Sequence, residues 1–359
     1  MSEQLSLSII VPFYNAKNSI KTCLDGLLKQ DFKKLFEVIM IDDASKDNSK
    51  EIIKRYKSLN IHLHVLDTNS GPAAARNVGI LNSKGKYLYF LDVDDEIDDE
   101  NFNILFDVIK EDDYDLVFSD KKWIENSKNL RNNIFDYTAD RTFYIKDLDE
   151  IMWTRFNDPM SAGKIFGLTG RLMKRSLIEE HNILFNEKLR YLEDDAFVWD
   201  FLAYVKKARY IRKQLYYYNI HPNLNTGSSD GIRRGFPISN FKLLKDHIKK
   251  SLQIRKFSKV DTKKISDQGF IFLLIGGLIS YSRSILQNKV DFDEGIKHLR
   301  LIIKNTLLDE DVLDAIKSYK RSKDESFLIP LAIKLRSSKL LEFASIKRAK
   351  ELAKIRTKS

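Results

Sequence analysis

Residues 87–95 read YLYFLDVDD, in which five apolar side chains lead into three acids within four positions. Two earlier stretches have the same form. Residues 36–47 read FEVIMIDDASKD and residues 7–15 read LSIIVPFYN, so each apolar run ends in polar side chains. A short, continuous apolar run is typical of a strand that is buried on both faces. These stretches therefore predict buried strands that end in polar loops.

The flanking sequence alternates further apolar runs with amphipathic segments. Strands are also predicted at 63–66 and 116–118, and the segments between strands predict helices at 19–29, 49–56, 73–81 and 100–110. This alternation is typical of a mainly parallel sheet with helices on both faces. The predicted fold class is therefore α/β, with a mainly parallel central sheet.

The rest of the chain consists of a less regular part and a helical part. Residues 126–192 show a mixed pattern, after which a helix is predicted at 194–204 and a strand at 208–220. From about residue 231 the sequence has a helical pattern and is rich in lysine. We therefore predict a first domain at residues 1–230 and a helical, basic C-terminal region at residues 231–359.

Composition limits the kinds of partner. The chain carries 61 Lys and Arg against 51 Asp and Glu, a net charge of +10, and its one cysteine excludes an intrachain disulfide. A basic surplus indicates an anionic partner without specifying it. Zinc-ligand spacing, a helix-turn-helix pattern and an aromatic-glycine RNA motif are all missing, so a nucleic acid is not the expected partner.

The apolar segments indicate where the protein resides. The first residues do not form a basic stretch followed by an apolar run, so we expect no signal peptide. The longest apolar stretch, residues 270–279, has about half the length of a membrane-spanning helix, and we expect a buried helix there. Together with the low cysteine content, these features predict a cytoplasmic protein.

The polar strand ends predict a ligand site, because ligands of open parallel sheets bind at the carboxyl ends of the strands. Asp92 and Asp94 could share one hard divalent cation, and that cation could bridge a diphosphate to which Arg76 makes a second contact. A carboxylate after the second strand, such as Asp43, could accept a proton from a nucleobase. The alternative is that both acidic groups cap helices.

The four polar motifs together resemble the family 2 glycosyltransferases of GT-A fold. The motifs are SIIVPFYN at 8–15, IDDASKD at 41–47, GPAAARN at 71–77 and FLDVDD at 90–95, and the resemblance covers about residues 5–225. It implies a nucleoside-diphosphate sugar as donor, more often UDP than GDP or dTDP. It also implies a Mn²⁺ or Mg²⁺ ion at the Asp-x-Asp motif and, as a rule, inversion at the anomeric carbon.

The resemblance also implies roles for individual residues. Asp94 would be a metal ligand, and Asp92 would lie near both the ribose and the metal. His221 falls where some relatives place a residue near the metal or the diphosphate, with a structural histidine as the alternative. The residues expected to bind the nucleotide are Pro12, Tyr14, Asn15, Asp43, Ser45, Arg76 and Asp92.

A third acidic run, Glu193-Asp194-Asp195, matches the place where the family has a Glu-Asp pair. An inverting transfer is a single displacement that needs a base for the proton of the acceptor hydroxyl. Asp194 is predicted to be that base, although its two acidic neighbours leave the register open by one residue. The alternative is that the run stabilises the start of a helix through its dipole.

The C-terminal segment carries a second prediction. Between residues 338 and 359, seven Lys or Arg residues stand against two Glu, around apolar residues at helical spacing. This pattern is typical of a helix on an anionic membrane surface, and a solvated basic tail is the alternative. Many family members glycosylate glycans, lipid-linked acceptors or lipopolysaccharide, which implies such an acceptor here and a peripheral position at the inner face of the plasma membrane.

Three other classes of protein deserve comparison. A phosphatase of the haloacid dehalogenase type also has Asp-x-Asp after a strand, but it expects a Gly-Thr-like continuation where this chain has Asp95-Glu96. A nucleotidyltransferase opens with a glycine-rich basic loop, which Tyr14-Asn15 does not match. A non-catalytic carbohydrate-binding protein would have no need of a metal site facing a nucleotide pocket.

Overall fold

The computed structural model describes residues 5–30, 36–125, 128–133, 138–156, 163–189, 191–220, 238–287, 290–321 and 325–356. The chain divides into two compact units. The first comprises Met1–Ile151, Lys164–Lys188 and Glu193–Leu224, and the second comprises Met152–Gly163, Leu189–Leu192 and Asn225–Ser359.

The first unit is built on one mixed sheet. Within the described residues its order is β3-β2-β1-β4-β9-β6-β10-β5, with β7 beside β6 and β8 beside β10. The strands are β1 Leu7–Phe13, β2 Phe36–Asp42, β3 Ile61–Val65, β4 Tyr87–Phe90, β5 Glu96–Ile97, β6 Leu116–Glu125, β7 Lys128–Asn133, β8 Arg141–Tyr144, β9 Arg171–Lys174 and β10 Lys207–Ile220.

Parallel pairing joins the strands that the sequence predicted. In the order β3-β2-β1-β4, each strand pairs in parallel with its neighbour, and β6 pairs in parallel with β10. Strand β9 runs antiparallel between β4 and β6. Every residue of β2 and β4 is buried, as expected for strands covered on both faces. The predicted α/β class with a mainly parallel central sheet is confirmed.

Helices connect these strands. Apart from the last three residues of α5, the helices of the first unit are α1 Ile20–Lys29, α2 Ser49–Ile53, α3 Pro72–Asn82, α4 Asn101–Glu111, α5 Ile145–Thr154, α6 Arg175–Glu180 and α7 Glu193–Leu202. Helix α3 packs closely on the sheet because Gly79 has no side chain, and a Cβ there would lie 2.4 Å from Cγ2 of Ile10. With the helix packed this closely on the sheet, the first turn of α3 lies beside the polar ends of β1, β2 and β4.

The second unit is helical in the part that the structure describes, as the sequence predicted. Its helices are α8 Ile238–Ile254, α9 Lys259–Leu286, α10 Phe292–Leu308, α11 Glu310–Ser318, α12 Leu328–Lys334 and α13 Ser338–Arg356. By length and composition α9 could cross a membrane, but 61% of its most apolar window is buried inside the protein. Phe270, Leu274 and Leu278 lie fully in that core.

The sequence missed four short antiparallel strands: β5, β7, β8 and β9. They have two to six residues each. Strand β9, for example, reads RLMK, which is too short and too polar at its ends to show a strand pattern. Such strands depend on their partners, since β9 forms only between β4 and β6.

Candidate active site

The carboxyl ends of β1, β2 and β4 lie side by side. In the register of the sheet, Phe13 pairs with Asp42, and Ile10 pairs with Phe90. The polar segments that follow these strands therefore emerge at one edge of the sheet. The structure brings together Tyr14, Asn15, Asp43, Ser45, Arg76, Asp92 and Asp94 at this edge, as the strand-end argument predicted.

Two of the predicted nucleotide-binding residues connect the loops after β1 and β2. The Asn15 amide donates to Oγ of Ser45 at 2.8 Å, and Oδ1 of Asn15 accepts the Lys46 amide at 2.8 Å. Asn15 has a positive φ of 50°. The ring of Tyr14 is 45% exposed, whereas Pro12 is partly buried at the end of β1. Tyr14 and Asn15 are therefore the exposed residues of this group.

The Asp43 carboxylate holds the loop that precedes α3. Its Oδ1 accepts the Ser70 amide at 2.7 Å, and its Oδ2 accepts the Gly71 amide at 2.9 Å. Gly71 has a φ of 90°, which only glycine adopts at little cost. Each carboxylate oxygen has two lone pairs, so these two bonds leave Asp43 with acceptor capacity. The side chain therefore orders a loop and retains acceptor sites for a further hydrogen bond.

Arg76 lies on the first turns of α3 and bridges two acids. Its side chain is 9% exposed, and its terminal nitrogens lie 3.0 Å from Oδ1 of Asp92 and 3.2 Å from Oε1 of Glu193. Burial alone would lower the pKa of Arg76, but the charges of the two carboxylates outweigh it and raise the pKa. Its Nε–H is buried and has no hydrogen-bond partner among the described residues. The guanidinium therefore retains unused donor capacity.

The loop after β4 concentrates negative charge. Asp95 is 2% exposed, and its carboxylate accepts bonds from the Tyr216 hydroxyl at 2.6 Å and from the Asn219 amide at 2.9 Å. Burial, and then the nearby charge of Asp92, raise the pKa of Asp95 well above its ordinary value. Asp92 and Asp94 are partly exposed, so they are the acids of this loop that a ligand can reach.

The third acidic run opens α7. Leu192, directly before it, has a φ of 67°, which is unusual for a branched side chain. The side chain of Glu193 is 14% exposed and contacts Arg76, and burial followed by the charge of Asp194 raises its pKa. Asp194 is exposed, and its Oδ1 accepts the Asp195 amide at 2.9 Å. Asp194 is therefore the accessible acid beside a buried ion pair.

Other side chains that could contact a metal or a sugar are buried or not described. His221 lies outside the described residues. Tyr216 and Trp199 are buried, which favours core packing over stacking on a sugar. Lys121, a basic residue near the acidic loop, was not predicted. The sequence prediction ended this strand at residue 118, whereas Lys121 lies within β6 Leu116–Glu125.

Comparisons with known proteins agree with this geometry. A family model described as "Glycosyl transferase family 2" matches residues 8–179. An uncharacterized glycosyltransferase of Escherichia coli strain K12, YibD, is 30% identical over 277 residues, which are 74% of each chain. TarS of Staphylococcus aureus strain Mu50, a poly(ribitol-phosphate) beta-N-acetylglucosaminyltransferase, is 30% identical over 217 residues. These cover 60% of this chain and 35% of TarS.

Solved structures show the same fold. The crystal structure of S. aureus TarS residues 1–349 has a TM-score of 0.67 at 21% identity, and the alignment covers 96% of this chain and 92% of that one. The sheet, the strand-end site and the sequence relatives define a GT-A enzyme. The chain belongs to glycosyl transferase family 2 and is a glycosyltransferase. The phosphatase and the non-catalytic binding protein are therefore not supported.

Proposed function

We propose that this enzyme transfers a hexose or an N-acetylhexosamine from a UDP-sugar to a hydroxyl of a glycan or lipid-linked acceptor. The transfer would proceed by a single displacement that inverts the anomeric carbon. The observation that carries this proposal is the ion-pair bridge Asp92–Arg76–Glu193, because it joins the acidic loop after β4 to the helix that begins with Glu193 and Asp194. The leaving diphosphate and the base would then lie on either side of one sugar.

The donor side of the proposal rests on Tyr14 and Asp43, which follow β1 and β2. The exposed Tyr14 ring can stack on a base, and Asp43 keeps acceptor capacity for an imide or amino proton. A structure of TarS contains UDP-GlcNAc, and it superposes on this chain with a TM-score of 0.69 at 20% identity. We infer a UDP-sugar donor on that basis.

The residues after β4 fit a Mn²⁺ or Mg²⁺ ion. Such ions prefer carboxylate and phosphate oxygens, which Asp92, Asp94 and a diphosphate supply. The described residues contain no group of three His, Cys, Asp or Glu side chains arranged as a complete metal site. The ion would therefore bind together with the nucleotide, and when bound it would neutralise charge on the departing diphosphate. His221 remains a candidate third ligand.

The base of the displacement would be Asp194. A base must reach the proton of the acceptor hydroxyl from the open side of the sugar, and Asp194 is exposed while Glu193 is held by Arg76. In this scheme Arg76 orients the diphosphate, and Asp194 accepts the proton of the acceptor hydroxyl. Neither role requires movement of the sheet.

We expect UDP and Mn²⁺ together to raise the melting temperature by several degrees more than either alone, because a ligand that binds only the folded state stabilises it. The measurement is a thermal-shift panel of nucleotides and nucleotide sugars, with and without Mn²⁺. Asp94→Ala should lose the Mn²⁺-dependent part of the shift. Asp99→Ala, an exposed acid paired with Lys29, is the matched control and should behave like the wild type.

Two outcomes would count against these assignments. A wild-type protein that no UDP compound stabilises would remove the donor proposal. An Asp94→Ala variant with an unchanged Mn²⁺-dependent shift would remove only the metal assignment. The two results are separate because the UDP shift without metal is measured in the same panel.

We also propose that α13 contacts an anionic membrane, as the sequence pattern predicts. Lys339, Lys347 and Lys350 are exposed on this helix, and the ring of Phe343 between them is 57% exposed. Nζ of Lys347 lies 6.0 Å from the centre of that ring. Cationic side chains around an exposed aromatic ring suit a surface of anionic lipid headgroups.

Reversing these three charges should weaken binding to phosphatidylserine vesicles. Each lysine near such a surface contributes about a fivefold increase in affinity, so losing all three costs about a hundredfold. Replacing them with glutamate should therefore weaken binding in vesicle sedimentation by at least about a hundredfold. Wild-type binding should also fall with salt. This test is cleaner than deleting residues 338–359, because deletion would also remove Leu341, Ala344 and Ala349, which are buried.

The matched control changes Lys54, Arg55 and Lys57 to glutamate, since these residues are exposed on the first unit. It should leave vesicle binding within about twofold of the wild type. Wild-type binding that salt does not change, or no binding at all, would favour a solvated helix.

A further inference from the structure

Two consecutive lysines on β6 have contrasting surroundings. Nζ of Lys121 lies 4.8 Å from the ring centre of Tyr216, and Nζ of Lys122 lies 5.7 Å from the ring centre of Tyr217. Successive side chains of a strand point to opposite faces of the sheet. The two lysines therefore make similar aromatic contacts on opposite faces of the sheet. Of the two, Lys121 is the one near the acidic loop after β4.

Lys121 is tied to the site through Tyr216. The hydroxyl of Tyr216 donates to Asp95 at 2.6 Å, and Nζ of Lys121 donates to Oγ1 of Thr169 at 2.7 Å. Gly167 is also close, because a Cβ there would lie 3.5 Å from Nζ. Among the described residues, no carboxylate lies within ion-pair distance of this ammonium group. Nζ of Lys121 is therefore held by a hydroxyl and an aromatic ring rather than by a counter-ion.

Charges from both halves of the site act on the pKa of Lys121. Burial lowers the pKa of Lys121, and the neighbouring Arg171 lowers it further. The carboxylates of Asp95, Asp92 and Asp194 act in the opposite direction. Lys121 is thus within electrostatic reach of the acidic loop after β4 and of the proposed base on α7.

The ammonium has donors to spare. A lysine carries three N–H donors and no acceptor, and the contact with Thr169 uses one of them. The residue is only partly buried, so part of its surface remains accessible. The unused donors of this partly buried group are available to an oxygen atom of a ligand.

We propose that Lys121, oriented by Thr169, donates a hydrogen bond to a hydroxyl or acetyl oxygen on the sugar ring of the donor, and that it contributes to the choice of sugar. This inference rests on the proposed UDP-sugar transfer. In a single displacement the sugar lies between the leaving diphosphate and the base. Lys121 contacts the ring of Tyr216, whose hydroxyl is bonded to Asp95 of the acidic loop. Asp92 and Asp194, which stand for those two sides, both act to raise the pKa of Lys121. The diphosphate itself already has Arg76.

The test compares the affinities of UDP and UDP-sugars in one set of variants. Lys121→Met keeps the length of the side chain and removes the donors. A hydrogen bond from a charged group is typically strong enough that its loss should weaken UDP-sugar binding at least about tenfold. UDP binding should stay within about twofold, because UDP lacks the transferred sugar that Lys121 is proposed to contact. Isothermal titration with UDP, UDP-GlcNAc and UDP-glucose measures both quantities.

Lys122→Met is the matched control, since it removes a lysine and an aromatic contact from the opposite face of the same strand. It should leave the ratio of UDP-sugar to UDP affinity unchanged. Thr169→Val, which removes the orienting hydroxyl at constant size, should lower that ratio by a smaller factor. Lys121→Arg keeps the charge but changes the geometry, so it should alter which sugar binds best.

Each outcome decides the proposal. An unchanged ratio in Lys121→Met would give the residue a purely structural role and overturn the proposal. Equal losses for UDP and UDP-sugar would assign Lys121 to the diphosphate and also overturn it. If Lys121→Met does not fold, the ratios of Lys121→Arg and Thr169→Val decide in the same way. Failure of the wild type to bind UDP would instead contradict the proposed function.

Discussion

Asp194→Asn should reduce sugar transfer at least about a hundredfold while leaving UDP and Mn²⁺ binding unchanged. The change keeps the shape of the side chain and removes the charge that accepts a proton. General-base catalysis typically contributes a factor of 10² to 10⁴ in rate, so about a hundredfold is the lower limit of the expected loss. The loss should fall on kcat rather than on donor affinity, which single-turnover kinetics and titration measure separately.

The structure explains why Asp194 and not its neighbour is expected to act. Glu193 is held 3.2 Å from Arg76, and its charge is needed there. Glu193→Gln should therefore weaken nucleotide binding more than it slows the transfer step. Asp195→Asn should cost much less than Asp194→Asn. An inactive Asp195→Asn beside an active Asp194→Asn would move the base by one residue, and near-normal transfer in all three would place the base elsewhere.

The strands of the fold could be predicted where the sheet buries both of their faces. Strands β1, β2, β4 and the start of β6 are continuous apolar runs, and such runs are visible in a single sequence. Strand β10 was also predicted from its apolar and aromatic content. The short antiparallel strands were not, because a two-residue strand such as β5 has no periodicity and exists only through its pairing with β10.

The site was predictable to a similar extent. Parallel strands deliver their polar ends to one edge, so the proximity of Asp43, Arg76 and Asp92 followed from the order of the elements. The second ion-pair partner of Arg76, Glu193, could not be predicted in this way. Glu193 lies 117 residues further along the chain, and no local pattern links an arginine to an acid at that distance.

Residue type alone also says little about how a side chain is used. Asp43 was predicted to meet a nucleobase, and the structure shows it accepting the Ser70 and Gly71 amides. Asp95 belongs to the same acidic loop as Asp92 but is buried under the Tyr216 hydroxyl. Hydrogen-bond partners decide which acids face a ligand, and those partners come from distant parts of the chain.

Arg76→Met should both destabilise the first unit and remove nucleotide binding. Breaking a buried ion pair leaves an uncompensated charge and typically costs 3–5 kcal/mol. The side chain of Asp92 is 29% exposed and that of Glu193 is 14% exposed, so we expect the lower end, about 3 kcal/mol. Equilibrium unfolding in urea measures the loss. UDP affinity should fall at least about a hundredfold, since charged hydrogen bonds to the diphosphate would be lost.

A surface pair provides the matched control. Arg300 contacts Glu342 through two nitrogens, but the Arg300 side chain is 63% exposed, and exposed pairs contribute little to stability. Arg300→Met should therefore leave the unfolding midpoint almost unchanged. Equal losses of unfolding free energy in the two variants would mean that the buried Arg76 bridge contributes no more to stability than an exposed ion pair.

Adding Glu193→Gln to Arg76→Met should recover part of the lost stability. The double variant no longer carries the more deeply buried of the two unpaired carboxylates, so the two changes should be strongly non-additive. UDP affinity should not recover, because the guanidinium is still missing. Recovery of stability without recovery of binding would separate the two roles of Arg76, whereas additive losses would show that Arg76 and Glu193 are not energetically coupled.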